Sequence, residues 1–359
     1  MSHLAAFRLS LAENGADAAI ISTDFNQHYL SAFRYDDGYV LVTPKKAYLL
    51  VDFRYEEAAR AQASSEFEII RPDGSMLICL SGLLSENGCK RAIIEDHAVS
   101  LELYQRMKKA FDGVAVEGGA SELLQNLRVK KDAEELEKIA RAQKMTDAAF
   151  SHILSVMTPD MTEMEVALEL EHFMRRHGAD GLAFSTIAVS GSASSLPHGV
   201  PRPVKLERGF LTMDFGAKCD GYCSDMTRTV VIGKADADMK KLYQTVLTAQ
   251  KAALDAAAEG VSCHALDRVA RDVIENAGYK GRFGHSLGHG VGMLIHEMPC
   301  LAPSVAPDQK LMRGHVVTVE PGIYIAGQYG CRIEDMIAVT PDGAIRNFTQ
   351  SQKELIELF

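Results

Sequence analysis

GFLTMDFGAKCDGYCSDMTRTVVI, residues 209–232, holds two apolar, strand-like runs on either side of Asp220-Gly221. An Asp-Gly pair between such runs signals a tight hairpin. The first run carries Asp214 and the second carries Asp225. Side chains alternate faces along a strand, so parity decides which residues can meet. With a two-residue loop at Asp220-Gly221, Asp214 faces Thr227, and Asp225 lies on the same face one diagonal step away. A one-residue slip would separate the two acids. Two carboxylates on one face repel, and without a cation one takes up a proton. Read alone, the stretch is equally well a polar hairpin with solvated acids.

The wider composition narrows the choice. At 359 residues the chain is long enough for about two domains. It is 47% hydrophobic and 24% charged, an ordinary globular balance. A net charge of −10 argues against a nucleic-acid partner, which needs a basic face. No apolar run approaches the ~18 residues of a spanning helix, so no membrane partner is expected. The start, MSHLAAFRLSLAENGADAAI, carries Arg8, Glu13 and Asp17 and reads as an amphipathic helix rather than a signal peptide. Seven cysteines, an odd number without C-x-x-C spacing, suit free thiols in a reducing cytoplasm. Cys219 and Cys223 read as packing residues.

Along the chain, residues 1–125 alternate apolar runs with helical patterns: DAAIIS, a YVLVTPKKAYLLVD hairpin about Pro44-Lys45-Lys46, helical RYEEAARAQAS, FEII, RAIIED and helical LYQRMKKAF. That order predicts a small α/β domain. The glycine pair in VEGGASELL marks its boundary. Asp52-Phe53-Arg54-Tyr55 either starts a helix or reaches the active site of a neighbouring subunit. From 126 to 359 a second domain follows. Lys131 to Met157 is helical on an approximate 3.6 period, and Thr162-x-x-Glu165 matches a capping box opening a second helix. Helical patterns return at Asp236–Glu259 and Cys263–Asn276. The order helix, helix, strands therefore occurs twice, at roughly 131–232 and 236–340. The first pass ends in two aspartates and the second in two glutamates, a pattern-level sign of duplication.

Three further residues extend the acid pair. His289 sits between glycines in GHSLGHGVG, Glu320 ends the apolar run VVTV, and Glu334 lies in CRIEDMIAV, in a strand that otherwise reads as buried. A buried charge is costly unless paired or metal-bound. For His289 a structural role, and for each glutamate an edge-strand position, are the plain alternatives. Together, four carboxylates and one imidazole suit a pair of divalent ions: Mn²⁺ first, with Co²⁺, Zn²⁺ or Fe²⁺ as alternatives. Bridging carboxylates would hold such ions ~3.5–4 Å apart with a hydroxide between them.

The ordered segments SLPHG, LTMDFGAKCDGYCSDMTRT, HSLGHGVGMLIHE, VTVEPGIY and CRIED resemble the pita-bread metallopeptidases, in the branch of aminopeptidase P and prolidase. The resemblance implies an α/β (α+β) architecture, with a C-terminal pita-bread domain after a creatinase-like N-domain. It implies that Asp214, Asp225, His289, Glu320 and Glu334 are metal ligands. His198 falls on a histidine that assists substrate binding and the leaving group, His296 on one near the substrate carbonyl, and His285 and Arg332 on substrate-side positions. For His285 a loop-stabilising hydrogen bond is an alternative, and for Arg332 an ion pair with Glu334 or Asp335. His315 reads as structural.

The implied activity is hydrolysis of the bond before proline at a peptide N-terminus, with a dipeptidase limited to Xaa-Pro as the same-class alternative and a non-catalytic binding protein as the other. The expected partners are small peptides with proline at the second position, and the expected assembly is a homodimer.

Overall fold

In the computed structural model, which describes residues 1–359, the chain divides after Arg128 into two units. The first runs α1 (His3–Glu13), β1 (Ala18–Ile21), α2 (Asp24–Ser31), β2 (Gly38–Val42), β3 (Ala47–Val51), α3 (Glu56–Gln62), β4 (Glu68–Ile70), α4 (Met76–Glu86), β5 (Arg91–Ile94), α5 (Leu101–Ala110), β6 (Ala115–Glu117) and α6 (Ala120–Arg128). Its strands form one sheet in the order β4-β3-β2-β1-β5-β6. β1 and β3 are buried along their whole length, which is why AAII and AYLLV read as unbroken apolar runs. Gly118-Gly119 lies within this unit, between β6 and α6, rather than at its edge. Tyr55 precedes the first turn of α3, and Arg54 is held by Asp37 and Asp52.

The second unit opens with α7 (Ala133–Val156) and α8 (Glu163–Arg176). Reciprocal capping boxes, Asp132 with Glu135 and Thr162 with Glu165, start them. Next come β7 (Gly181–Leu182), β8 (Ile187–Ser190), β9 (Gly209–Phe215), β10 (Ala217–Cys219), β11 (Tyr222–Cys223) and β12 (Met226–Ile232). The helix pair then repeats as α9 (Ala237–Ala256) and α10 (Cys263–Ile274). Thr162 and Ser262, 100 residues apart, cap equivalent helices, and each bridges to a later lysine, Lys205 and Lys310. The remaining strands are β13 (Gly288–Gly290), β14 (Glu297–Leu301), β15 (Val316–Val319), β16 (Gly322–Ile325), β17 (Tyr329–Arg332), β18 (Asp335–Val339), β19 (Ile345–Asn347) and β20 (Glu357–Leu358).

Each helix pair covers its own sheet. Phe150, Ile153 and Leu170 pack with Leu211, Met213 and Val230 of the sheet β20-β12-β9-β8. Leu242, Val246 and Leu266 pack with Val317, Val319 and Ile337 of the sheet β14-β13-β15-β18-β19. No helix is long and apolar enough to cross a membrane.

The hairpin of residues 209–232 keeps one register throughout, with Cys219 opposite Tyr222 and Asp214 opposite Thr227. Asp220 (φ 49°) and Gly221 (φ 84°) are both left-handed, as the mirror-image two-residue turn demands. The ladder nevertheless bends midway. A side chain at Gly216 would meet the Ser224 carbonyl oxygen at 1.9 Å, so only glycine permits the bend. β9 and β12 thus stay in the four-stranded sheet, while β10 and β11 join β7.

Candidate metal centre

The bend in the hairpin is where the acids gather. Asp214 stands on β9, and Asp225 lies in the break between β11 and β12. Glu320 occupies the break between β15 and β16, and Glu334 that between β17 and β18. Glu334 is therefore not inside a strand, as its apolar surroundings suggest, but at a point where the chain changes sheets. There its N–H donates to the Thr227 carbonyl oxygen at 3.1 Å. His289 sits on β13, where side chains at Gly288 and Gly290 would meet backbone oxygens of Thr318 and Met298 at 2.0 and 2.2 Å.

Side-chain atoms of Asp225, His289 and Glu334 lie within 4.8 Å of one another, an arrangement able to hold a metal ion. His289 Nε2 is 3.5 Å from Asp225 Oδ2 and 3.4 Å from Glu320 Oε1. Its Nδ1 is 3.1 Å from the Gly290 carbonyl oxygen, which can only accept. The ring proton therefore sits on Nδ1, and Nε2 faces the acids bare, the form that ligates metals. Burial lowers the His289 pKa and so favours this neutral form. Thr227 Oγ1 donates to Glu334 Oε2 at 2.7 Å and Thr318 Oγ1 to Glu320 Oε1 at 3.1 Å, orienting both glutamates.

The electrostatics are those of an acid cluster short of positive charge, with one arginine among four carboxylates. Burial, then the neighbouring acids, raises Asp225 and Glu334 well above the usual carboxylate range. Burial pushes Glu320 up to about 7. Asp214 Oδ2 accepts from Arg332 Nη2 at 2.6 Å, but its buried Oδ1 has no hydrogen-bond partner. Oxygen-rich donors, one bare imidazole nitrogen and an orphaned carboxylate oxygen fit divalent ions.

Around the acids lies a cavity of about 980 Å³, lined also by His198, His285, His296 and Arg332. The His289 and His296 rings meet edge to face at 4.4 Å. Each nitrogen of Arg332 donates: Nε to Thr227 Oγ1 (2.9 Å), Nη1 to the Pro197 carbonyl (3.2 Å) and Tyr324 Oη (2.8 Å), and Nη2 to Asp214. Of the two alternative charge partners of Arg332, Glu334 attracts it without a direct ion pair, and Asp335 is taken by Arg228 and Lys353.

His285 is held by hydrogen bonds at both ring nitrogens. Its Nδ1 donates to the Ser286 carbonyl (2.8 Å), and its Nε2 accepts from Tyr324 Oη (3.0 Å). Burial, then the Arg332 charge, pushes its pKa down to about 3. The ring is a neutral link in a chain running Arg332, Tyr324, His285. Tyr324 and Thr318 lie within VTVEPGIY and Thr227 within LTMDFGAKCDGYCSDMTRT, but sequence reasoning gave them no role, because hydroxyls in strands are ordinary. Thr227 had one further signal, its parity with Asp214. His315 is a structural residue, its Nδ1 accepting from the Met312 N–H at 3.2 Å.

A two-lobed metal-ligating domain of this kind has known counterparts. The chain matches Metallopeptidase family M24 over residues 137–341 and the Creatinase/Prolidase N-terminal domain over residues 3–130. It belongs to that metallopeptidase family and is an enzyme. It is 41% identical over 345 residues to the uncharacterized peptidase YqhT of Bacillus subtilis (strain 168), covering 96% of each chain. Among solved structures it resembles an Xaa-Pro dipeptidase from Bacillus anthracis (TM-score 0.94, 39% identity, 99% of each chain). It also resembles an X-Pro aminopeptidase from Thermotoga maritima MSB8 (TM-score 0.90, 35% identity, 96% of this chain and 98% of that one).

Proposed function

We propose that this metallopeptidase removes the first residue of peptides whose second residue is proline, with Asp214, Asp225, His289, Glu320 and Glu334 holding two divalent ions, Mn²⁺ before Co²⁺, Zn²⁺ or Fe²⁺. The carrying observation is the buried acid cluster around the bare Nε2 of His289, where four carboxylates share the single cation Arg332. Bound ions would polarise a carbonyl and acidify water. Thr227 and Thr318 orient the glutamates, and Arg332 holds Asp214. His198 and His296 supply donors for the oxygen on which negative charge develops and for the departing proline nitrogen. The bond before proline is a tertiary amide without an N–H, so the leaving group must gain its proton from such a donor.

Arg332 is the one arginine lining the cavity, no lysine lines it, and every arm of Arg332 is committed. This chain therefore offers no spare cation to grip a dipeptide's terminal carboxylate, which favours longer substrates. A dipeptidase limited to Xaa-Pro is the second reading, favoured by the name of the Bacillus anthracis relative. Hydrolysis of Ala-Pro and Ala-Pro-Ala by the Mn²⁺-loaded enzyme separates the two. The tripeptide should be cleaved at least as well. Cleavage of the dipeptide alone sinks the aminopeptidase reading. Ala-Ala-Ala should fall at least ~10-fold below Ala-Pro-Ala, the scale of a lost apolar contact. Equal rates would remove the proline preference and leave the metallopeptidase standing.

A further inference from the structure

Helix α8 works on two faces. Val166, Leu170 and Met174 are fully buried in the core. Met164, Ala167, Leu168 and Glu171 follow i, i+3, i+4, i+7 and form a second stripe. All four line the cavity that holds the acid cluster. Met164 is 38% exposed and Leu168 54% exposed, so this stripe is available to something entering from solvent. At 1.5 Å per residue it runs about 10 Å, from Met164 at one end to Glu171 at the other.

The charge pattern along the stripe is selective. Glu171 is the only carboxylate lining the cavity outside the acid cluster. No ion pair or hydrogen bond compensates it, and the one arginine of the cavity is spent on Asp214, Tyr324, Thr227 and Pro197. Thr186, only 5% exposed, lines the same cavity with its hydroxyl unpartnered. A buried hydroxyl without a partner is a hydrogen-bonding group that a ligand's polar atom can satisfy. An apolar wall with a free carboxylate at its end suits an aliphatic stem carrying a cation, because methylenes pack on the wall while the charged head stays wet. An acidic side chain there would meet Glu171 as a like charge.

We propose that α8 selects a basic side chain of the substrate, lysine or arginine, with Leu168 against the stem and Glu171 at the head. This rests on the exopeptidase reading above. The side chain could belong to the first residue or to the residue after proline, since both present the same stem and cation.

The test compares kcat/KM of the Mn²⁺-loaded enzyme for Lys-Pro-Ala, norleucine-Pro-Ala and Glu-Pro-Ala, and for Ala-Pro-Lys, Ala-Pro-norleucine and Ala-Pro-Glu. Norleucine keeps most of the stem and removes the charge. In one of the two series lysine should exceed norleucine by about 3–5-fold, the scale of a partly exposed ion pair. The excess should appear in KM and shrink as salt rises. Glutamate should be the poorest of its series. The identity of the responding series assigns the position. In Glu171→Gln the lysine-to-norleucine ratio should fall to about one. A ratio that is flat in the native enzyme in both series, or that survives Glu171→Gln, overturns the inference while the exopeptidase reading stands. Failure to cleave any of these peptides or Ala-Pro-Ala overturns that reading and this inference with it.

Discussion

Glu334 and Asp335 are neighbours in the chain and equally buried, at 1% and 0% exposed, yet they belong to opposite kinds of charge cluster. Asp335 accepts from Arg228 Nη2 at 2.9 Å, Lys353 Nζ at 2.7 Å and Asn347 Nδ2 at 2.7 Å. Burial works against its charge, but Arg228 and Lys353 outweigh it and hold its pKa below the usual value. Glu334 faces Asp214, Asp225 and Glu320, and its pKa is driven up by burial and by those acids. One cluster is complete within the chain, and the other is short of positive charge. A protein can bury both side by side because only the second requires an ion from outside.

The largest expected effect separates the two directly. Glu334→Ala should abolish turnover, yet in chelator it should be no less stable than the ion-free native protein, because it removes one of several repelling acids. Asp335→Asn should instead cost about 3–5 kcal/mol by leaving buried cations short of their counter-charge. Denaturant melts in chelator, with activity after Mn²⁺ or Co²⁺ reloading, read both. The contrast breaks down if the two variants lose similar stability without ions, or if thoroughly chelated native protein keeps full activity.

A smaller effect tests whether ion holding is confined to the acid cluster. His296→Ala should lower kcat by ~10²–10³, the usual scale for one lost oxyanion donor, and His198→Ala by as much or less. Both should keep normal metal content by elemental analysis. A variant that arrives without its ions would make that histidine a ligand.

The smallest effect concerns pH, and its sign differs between the clusters. In ion-free protein Glu320 titrates near 7 against an ordinary 4.5, so between these values the native state binds more protons than the unfolded one. Stability then falls as pH rises through about 7. In chelator, Glu320→Gln should therefore stabilise relative to the native protein at pH 8, and the gain should shrink toward pH 6. Asp335, with its pKa held below 3.8, contributes stability that is lost only as pH falls through its lowered value. The cost of Asp335→Asn should be constant from pH 8 to pH 6. A Glu320→Gln gain that stays flat across the same range would mean the acids are already compensated without ions.

Legibility followed the range of the interactions. The capping box at Thr162 and Glu165 and the turn at Asp220-Gly221 are local, so short stretches of sequence suffice to read them. The α7 stripe was blurred because its buried face includes Glu135 and Thr146. These serve the hairpin, Glu135 accepting from Tyr222 Oη at 2.9 Å and Thr146 pairing with Ser224 at 2.8 Å. A period counted on apolar residues passes over such positions. The bend at Gly216 was equally hidden, since nothing nearby in sequence says that Ser224 will press against it.

By itself the sequence determined the hairpin register and the twofold order of helices and strands. It also determined the residue types at the acid cluster, because period, parity and turn chemistry act over a few residues. Only the tertiary structure decided that Arg332 would hold Asp214 across 118 positions and Thr227 would orient Glu334 across 107. It alone set His285 as a neutral link under Tyr324 and turned a second face of α8 toward the cavity. Those outcomes depend on which surfaces of the two lobes meet and on the loss of water where they do. Burial there converts ordinary acids and imidazoles into groups whose charge state depends on neighbours remote in the chain.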